Sequence, residues 1–259
     1  MSVAVREWGS PTEPGILLWP GLGATGAYFE SIAQALPGRA VAVDPPGFGR
    51  SPAIDPCSYS SLVALAAEVA GAHRCRAIVG HSLGAHVAVG LACDPPAGMR
   101  AAVLIDGGFL DAATLAELGP PATSPRAEVV AWMHSNSPRF PSWDAAVDGF
   151  ARMVGAEPTP ALEAYVREIL VESDGEIHDS AAPERLADML LAVIREDPRS
   201  LAQGIRIPTL LIASGQPADR RAARETAWRS LADASPLIEL CVGDGWGHNP
   251  VLQDPARVV

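Results

Sequence analysis

The sequence predicts an α/β fold built on a mostly parallel sheet that is covered by helices on both faces. Short, continuously apolar runs alternate with helical patterns over the first 110 residues, which is typical of strands buried on both sides. From about 111 to 204 these runs stop, and amphipathic helical stretches follow one another. Strand character returns near residue 207. One sheet with a helical insertion before its penultimate strand is therefore expected.

The individual elements can be placed from their composition. The predicted strands lie at 2–8 (an edge strand or hairpin), 16–20, 39–44, 75–80, 99–106, 207–213 and 236–243. In the sheet region, one predicted helix ends at Leu36, and three others span 60–72, 82–93 and 218–232. We accordingly predict a core made of residues 1–110 and 205–259, and a helical unit at 111–204 that contains no convincing strand.

Composition excludes several functional classes. With 48% hydrophobic residues in 259, the chain has enough apolar surface for a large core. A net charge of −11 argues against nucleic-acid binding, and the absence of lysine excludes Schiff-base and P-loop lysine chemistry. The four cysteines form no C-x-x-C pair, and no metal-ligand cluster or dinucleotide fingerprint occurs. We expect neither a metal nor a cofactor.

Targeting and membrane signals are not evident in the sequence. No apolar run approaches the ~20 residues that a membrane-spanning helix needs. The first ten residues, MSVAVREWGS, lack the basic start and apolar middle of a signal peptide. We expect a cytoplasmic protein without a membrane partner.

The pentapeptide GHSLG at 80–84 matches the G-x-S-x-G pattern of a nucleophilic serine. Ser82 lies between a predicted strand and a predicted helix, where a tight turn projects its side chain above the sheet. Glycines are needed on both sides because such a turn leaves no room for a Cβ atom. The helix N-terminus also favours developing negative charge. This placement favours a nucleophile over the alternative, a turn merely capped by Ser82.

A serine nucleophile needs a base, and His248 is the best candidate among the six histidines. It lies in the glycine-rich segment GDGWGHNP, just after the last predicted strand, from which it would reach the sheet edge that carries Ser82. The other histidines are expected to be packed or solvated: His73, His81, His86, His134 and His178.

Six sequence blocks, taken in order, resemble the α/β-hydrolase superfamily, in particular its serine-nucleophile members with a helical cap. They are LLWPGLG (17–23), VDPPGFGRS (43–51), GHSLG (80–84), VLIDGG (103–108), IPTLLI (207–212) and GHNP (247–250). The resemblance implies an α/β-hydrolase fold in which the insertion at 111–204 is the cap, and it covers nearly everything outside that insertion.

The resemblance also implies an oxyanion hole of two backbone N–H groups. One belongs to Leu83, the residue after the nucleophile. The other is assigned to Leu22, because the family's His-Gly-x-Gly pattern here reads PGLG at 20–23. Pro20 departs from the family's histidine and cannot supply that side chain's hydrogen bond, although its fixed φ could stiffen the loop.

The acid of the triad has more than one candidate. Similar proteins usually place it in a G-x-x-D turn after the strand at 207–213, but here the aspartate, Asp219, comes one residue late. Other members use the end of the strand that follows the nucleophile helix, where Asp106 stands. We favour Asp106, keep Asp219 as the alternative, and consider Asp244 a third choice.

The expected reaction is hydrolysis through an acyl-enzyme, with substrate choice made by the cap. Candidate pocket residues are Trp132, Phe140, Trp143 and Trp246, together with Met133, Phe150 and Met153. Because this lid is apolar, the predicted substrate is a small to medium hydrophobic ester, lactone or thioester.

Other functions remain open at this point. One is hydrolysis of a carbon–carbon bond in a diketone-like substrate, and a cofactor-independent lyase is more distant. A hydrolase-like receptor that binds a small molecule with little turnover belongs to a different class. Whichever applies, the expected partner is a small molecule, and the chain is expected to act as a monomer or homodimer.

Overall fold

A seven-stranded sheet forms the centre of the computed structural model, which describes residues 3–109, 119–215 and 221–259. Its strands are β1 (Val5–Trp8), β2 (Gly15–Trp19), β3 (Arg39–Val43), β4 (Ala77–His81), β5 (Ala101–Ile105), β9 (Thr209–Ser214) and β10 (Ile238–Gly243). They lie in the order β1-β3-β2-β4-β5-β9-β10, and all neighbours run parallel except β1 and β3. The predicted mostly parallel sheet is confirmed.

Helices alternate with these strands and also fill much of the insertion. The described helices are α1 (Glu30–Ala35), α2 (Tyr59–Ala72), α3 (Leu83–Cys93), α4 (Arg126–Asn136), α5 (Trp143–Val154), α6 (Pro160–Ile169), α7 (Pro183–Ile194), α8 (Pro198–Ala202), α9 (Arg221–Ala232), α10 (Pro250–Gln253) and α11 (Pro255–Val258). Among them, none is long and apolar enough to cross a membrane.

Both faces of the sheet are buried, as the apolar strand sequences predict. Successive side chains of a strand point to opposite faces. In β3, Val41 packs into an apolar cluster that includes residues of α2 and α3, whereas Ala42 packs into a second cluster that includes residues of α1. Both side chains are fully buried. The sheet is therefore a middle layer between two helical layers.

The inserted segment, defined here as residues 119–204, is not wholly helical. Its strands β6 (Arg139–Phe140), β7 (Leu170–Ser173) and β8 (Glu176–Asp179) form a small antiparallel sheet in the order β6-β8-β7. The expectation that this region contains no strand is therefore wrong.

The β7–β8 hairpin has an identifiable local cause. Helix α6 ends at Ile169, and the chain turns back at Asp174 and Gly175, whose φ angles are +53° and +77°. Two consecutive positive φ angles match the twist of a hairpin, and Asp-Gly is the sequence pair that favours them. This signal outweighs the helical pattern that runs from 159 to 173 in the sequence.

The buried centre of the sheet leads to a stability prediction. Leu104 in β5 is fully buried, whereas Leu237, just before β10, is 37% exposed. Leu104→Ala should lower the free energy of unfolding by about 2–5 kcal/mol, because it removes apolar contacts and leaves a cavity. Leu237→Ala should lower it by less than about 1 kcal/mol. Urea unfolding of both variants measures the contrast, and equal losses would contradict this assignment of the core.

Candidate active site

Ser82 occupies a strained turn between β4 and α3. Its φ is +53° and its ψ is −119°, a combination that L-residues rarely adopt. Close backbone contacts surround the turn: a Cβ added to Gly80 would lie 2.3 Å from the Gly84 carbonyl oxygen, and one added to Gly84 would lie 2.2 Å from the Trp19 carbonyl oxygen. Both flanking glycines are therefore required by lack of space, as the sequence predicts.

The end of β5 supports this turn from the neighbouring strand. The Ser82 N–H donates to the Ile105 carbonyl at 2.9 Å. A Cβ on Gly107 would lie 2.0 Å from the Ser82 carbonyl oxygen, so glycine is needed there as well. Asp106, between these two contacts, has a φ of +43°. The two strand ends thus fix each other, and each carries a strained polar residue.

The structure brings Ser82, His248 and Asp106 together in one chain of hydrogen bonds. His248 Nε2 lies 3.0 Å from Ser82 Oγ, and His248 Nδ1 lies 2.6 Å from Asp106 Oδ2. A carboxylate only accepts, so Nδ1 donates to Asp106, and Nε2 of the neutral ring offers its lone pair to the Ser82 hydroxyl. The Asp106 side chain is fully buried, whereas that of His248 is 48% exposed.

Asp106 is held in its ionised form by several partners. Burial by itself raises the pKa of Asp106, but the hydrogen bond and charge of His248, the charge of Arg224 and the N–H of Ser214 together lower it from 3.8 to about 2. Arg224, in α9, places Nη2 2.5 Å from both carboxylate oxygens. The alternative acid Asp219 lies outside the described residues, and Asp244 is exposed.

His81 connects the loop that carries His248 to β4. Its Nε2 lies 2.8 Å from the His248 carbonyl oxygen, and since a carbonyl only accepts, this nitrogen donates. Tyr28 stacks on the imidazole with ring centroids 4.6 Å apart, and its hydroxyl lies 3.4 Å from Asn249 Oδ1. Burial, reinforced by the neighbouring His248, lowers the pKa of His81 to about 3, so the ring is neutral. It is packed rather than solvated.

The loop after β2 lies directly against Ser82. A Cβ added to Gly21 would be 3.0 Å from Ser82 Cβ, and Leu22 lines the same cavity as Ser82. Leu83 is the first residue of α3, so its N–H has no acceptor within the helix. Both residues expected to form the oxyanion hole therefore lie beside the serine.

A cavity of about 760 Å³ opens above Ser82 and His248. The sheet contributes its loops to one part of the wall, and the inserted segment contributes mostly apolar side chains to the rest. Those from the inserted segment include Trp132, Met133, Phe150, Met153, Val154, Tyr165, Ile169, Leu170 and Leu186. A small or medium-sized organic molecule fits a space of this volume.

Of the four aromatic residues expected in the pocket, Trp132 lines the cavity and the other three lie elsewhere. Phe140, in β6, packs against α5. Trp143 points its indole N–H at Glu172, 3.2 Å away, and Trp246 is buried against the end of β10. Helical spacing marks these side chains as packed but does not say which side of the insertion faces the cavity.

The arrangement supplies the groups that nucleophilic catalysis needs. His248 is placed to take the Ser82 proton, and the buried Asp106 carboxylate is placed to orient the imidazole and stabilise its charged form. Within the described ranges, no group of three or more His, Cys, Asp or Glu side chains could hold a metal ion.

The environment of Asp106 makes stability depend on pH. A carboxyl whose pKa falls from 3.8 to about 2 on folding stabilises the protein above the higher value, and this contribution is lost as pH falls towards the lower one. The difference in unfolding free energy between the native chain and Asp106→Asn should shrink by about 2 kcal/mol as pH falls from about 5 to 2. Urea titrations along this series measure it. A difference independent of pH would contradict the assigned environment.

Comparison with known proteins agrees with this architecture. Among solved structures, the thioesterase domain from the curacin biosynthetic pathway superposes with a TM-score of 0.74 at 18% identity, covering 98% of this chain and 92% of that one. An esterase from Exiguobacterium antarcticum has a TM-score of 0.73 at 16% identity, covering 99% and 92%. E-2-(acetamidomethylene)succinate hydrolase has a TM-score of 0.72 at 21% identity, covering 98% and 91%. At these identities the likeness concerns the fold. No curated protein sequence matches the chain.

A family model extends the agreement to the sequence itself. The model described as the alpha/beta hydrolase family matches residues 16–259, a range that includes Ser82, Asp106 and His248. The match begins in β2 and runs through the inserted segment to the last residue. Since it covers nearly the whole chain, and since the sheet order and the turn at Ser82 agree with it, the protein belongs to the alpha/beta hydrolase family.

Proposed function

We propose that this protein is a serine hydrolase that cleaves a small to medium hydrophobic carboxylic ester, lactone or thioester through an acyl-enzyme. The observation that carries the proposal is the hydrogen-bonded chain from Ser82 through His248 to Asp106 at the base of a mainly apolar cavity. A thioesterase domain and an esterase among the similar structures support the choice of bond.

In the first step, Ser82 Oγ attacks the acyl carbon of the substrate. His248 takes the hydroxyl proton through Nε2 and later gives it to the leaving alcohol or thiol. Asp106 stays ionised and holds the ring in the tautomer that this transfer needs, because Nδ1–H is committed to its carboxylate. Arg224 is a positioning residue that holds the carboxylate by donating to both of its oxygens.

Negative charge develops on the substrate's carbonyl oxygen during this attack. We assign its stabilisation to the backbone N–H groups of Leu22 and Leu83, which flank Ser82 on the β2 loop and on α3. Each donor in such a site contributes about 3 kcal/mol to transition-state stabilisation. Water then attacks the acyl carbon, with His248 acting as its base, and Ser82 is released.

The inserted segment acts in this proposal as a cap over the reacting groups. It supplies none of the residues assigned to the chemistry, but its apolar side chains form much of the cavity wall. Removing water from the site strengthens the electrostatic interactions described above. A hydrophobic acyl or alcohol group is the substrate portion that such a wall accommodates.

Labelling with a fluorophosphonate tests whether Ser82 is activated. The native chain should gain a single adduct in its intact mass, and Ser82→Ala should gain none. Ser135→Ala, which removes an exposed serine of α4, should label as the native chain does. No adduct on folded native protein, or an adduct that survives Ser82→Ala, would contradict the proposal, and the former would favour a receptor.

A substrate panel follows the labelling experiment. Esters, lactones and thioesters of two to eight acyl carbons should be hydrolysed in preference to polar peptides, since the cavity wall is mainly apolar. Spectrophotometric kcat/KM values measure the preference, and Ser82→Ala supplies the background rate. A preference for polar peptides would contradict the proposed substrate class.

The identity of the acid can be tested with matched variants. Asp106→Asn should lower kcat by about 10³–10⁴-fold, because an amide can no longer hold the imidazole in the required tautomer. Asp219→Asn makes the same chemical change at the alternative position and should leave kcat within about threefold. Circular dichroism checks that both variants fold. A large loss in Asp219→Asn with little loss in Asp106→Asn would assign the acid to Asp219.

A further inference from the structure

A carboxylate interrupts the apolar wall that the inserted segment gives to the cavity. Asp179, the last residue of β8, lines the cavity and is partly buried. Ser137 Oγ donates to its Oδ2 at 2.8 Å, whereas Oδ1 accepts no hydrogen bond from any residue in the described part of the chain. One carboxylate oxygen is therefore free to receive a donor from a bound molecule.

The surroundings of Asp179 leave its charge largely uncompensated. Burial raises the pKa of Asp179, although the hydrogen bond from Ser137 and the nearby His178 act in the opposite direction. No arginine or second acidic residue is present among the cavity-lining residues that the structure describes. The sequence contains no lysine and carries a net charge of −11. A cation that enters the cavity from solvent can pair with this carboxylate, and the negative charge of the whole chain attracts it.

The remaining wall is suited to such a cation. Trp132, Phe150 and Tyr165 line the same cavity. The face of an aromatic ring attracts an ammonium group, and the alkyl chain that carries the group gains from apolar contact. A carboxylate in a cavity that is otherwise lined mainly by aromatic and aliphatic side chains is the combination that selects an amine on a hydrocarbon chain over a wholly apolar molecule.

We propose that the substrate of this hydrolase carries a protonated amine that pairs with Asp179 while its ester or thioester carbonyl lies at Ser82. The inference rests on the proposed function for the reaction itself, and it adds the substrate class. An alkyl amine is charged at neutral pH. A substrate with a free carboxylate is disfavoured by the same group.

Matched esters test this selectivity from both sides of the scissile bond. One pair is 4-nitrophenyl 6-aminohexanoate and 4-nitrophenyl heptanoate, which differ by an ammonium in place of a methyl group. The other pair is 6-aminohexyl butyrate and heptyl butyrate, with the same difference on the alcohol side. In at least one pair the amine should have a kcat/KM about tenfold higher, mainly through KM, since a charged hydrogen bond forms on binding.

Variants then assign the preference to Asp179. In Asp179→Asn the ratio between the amine and its methyl counterpart should fall to near one. Glu157→Gln removes one negative charge from an exposed position of the inserted segment, and it should keep the native ratio. Absence of amine preference in both pairs, or a preference that survives Asp179→Asn, overturns the proposal. If 4-nitrophenyl 6-hydroxyhexanoate has the same kcat/KM as the amine ester, the requirement for charge is overturned.

Binding measurements separate this inference from the reaction. In Ser82→Ala, which cannot form an acyl-enzyme, titration calorimetry should detect hexylamine binding at least about tenfold tighter than that of 1-hexanol. The difference should disappear when Asp179→Asn is added. If no ester is hydrolysed but hexylamine still binds through Asp179, the proposed reaction fails and the amine site stands. If esters are hydrolysed without any amine selectivity and hexylamine does not bind, the proposed reaction stands and the amine site fails.

Discussion

The contact between the turn at Ser82 and the end of β5 is the constraint on which the rest of the site depends. Gly107 lies so close to the Ser82 carbonyl that a side chain there has no room, and the Ser82 N–H is bonded to Ile105. The positive φ of Ser82 costs about 1–3 kcal/mol of backbone strain, which the surrounding packing has to offset. Two buried parallel strands provide that packing. The same contact places Asp106 beside His248. One contact between two strand ends therefore positions two of the three polar groups.

The sheet and the inserted segment divide the chemistry between them. The sheet presents charges that are balanced internally: Asp106 is matched by Arg224, His248 and a backbone N–H, so its ionisation costs little despite complete burial. The inserted segment presents mainly apolar side chains and the incompletely matched Asp179. A carboxylate with all its partners in the protein, such as Asp106, is held in a fixed geometry. A carboxylate with an oxygen that accepts no hydrogen bond from the described residues, such as Asp179, favours pairing with a bound molecule. The first is suited to the proposed catalysis and the second to the choice of substrate.

Local patterns in the sequence were sufficient for much of the fold and for part of the site. Continuous apolar runs identify the central strands because both faces of the sheet are buried, and GHSLG identifies the turn at 80–84 because only glycine fits beside it. Arg224 gives no such signal, since an arginine on an amphipathic helix is usually solvated and its partner is 118 residues away. Asp179 gives no signal in the sequence either. Trp143, which donates to Glu172, shows that an aromatic residue of the insertion need not line the cavity. What could not be predicted depends on contacts between distant segments.

The hydrogen bond from His81 to the His248 carbonyl has a mechanical consequence. His81 and Ser82 are consecutive, so the group that anchors the His248 backbone and the hydroxyl that meets its ring are joined by a single peptide bond. Backbone, anchor and ring form a small closed loop of covalent and hydrogen bonds. The alignment of serine and histidine is therefore fixed relative to β4, and Gln253 ties the same loop to the inserted segment by accepting from the Gly247 N–H and donating to the Val154 carbonyl. A shift of the inserted segment at Val154 therefore reaches the backbone beside His248, while the hydrogen bond from His81 resists a change in the alignment of the two side chains.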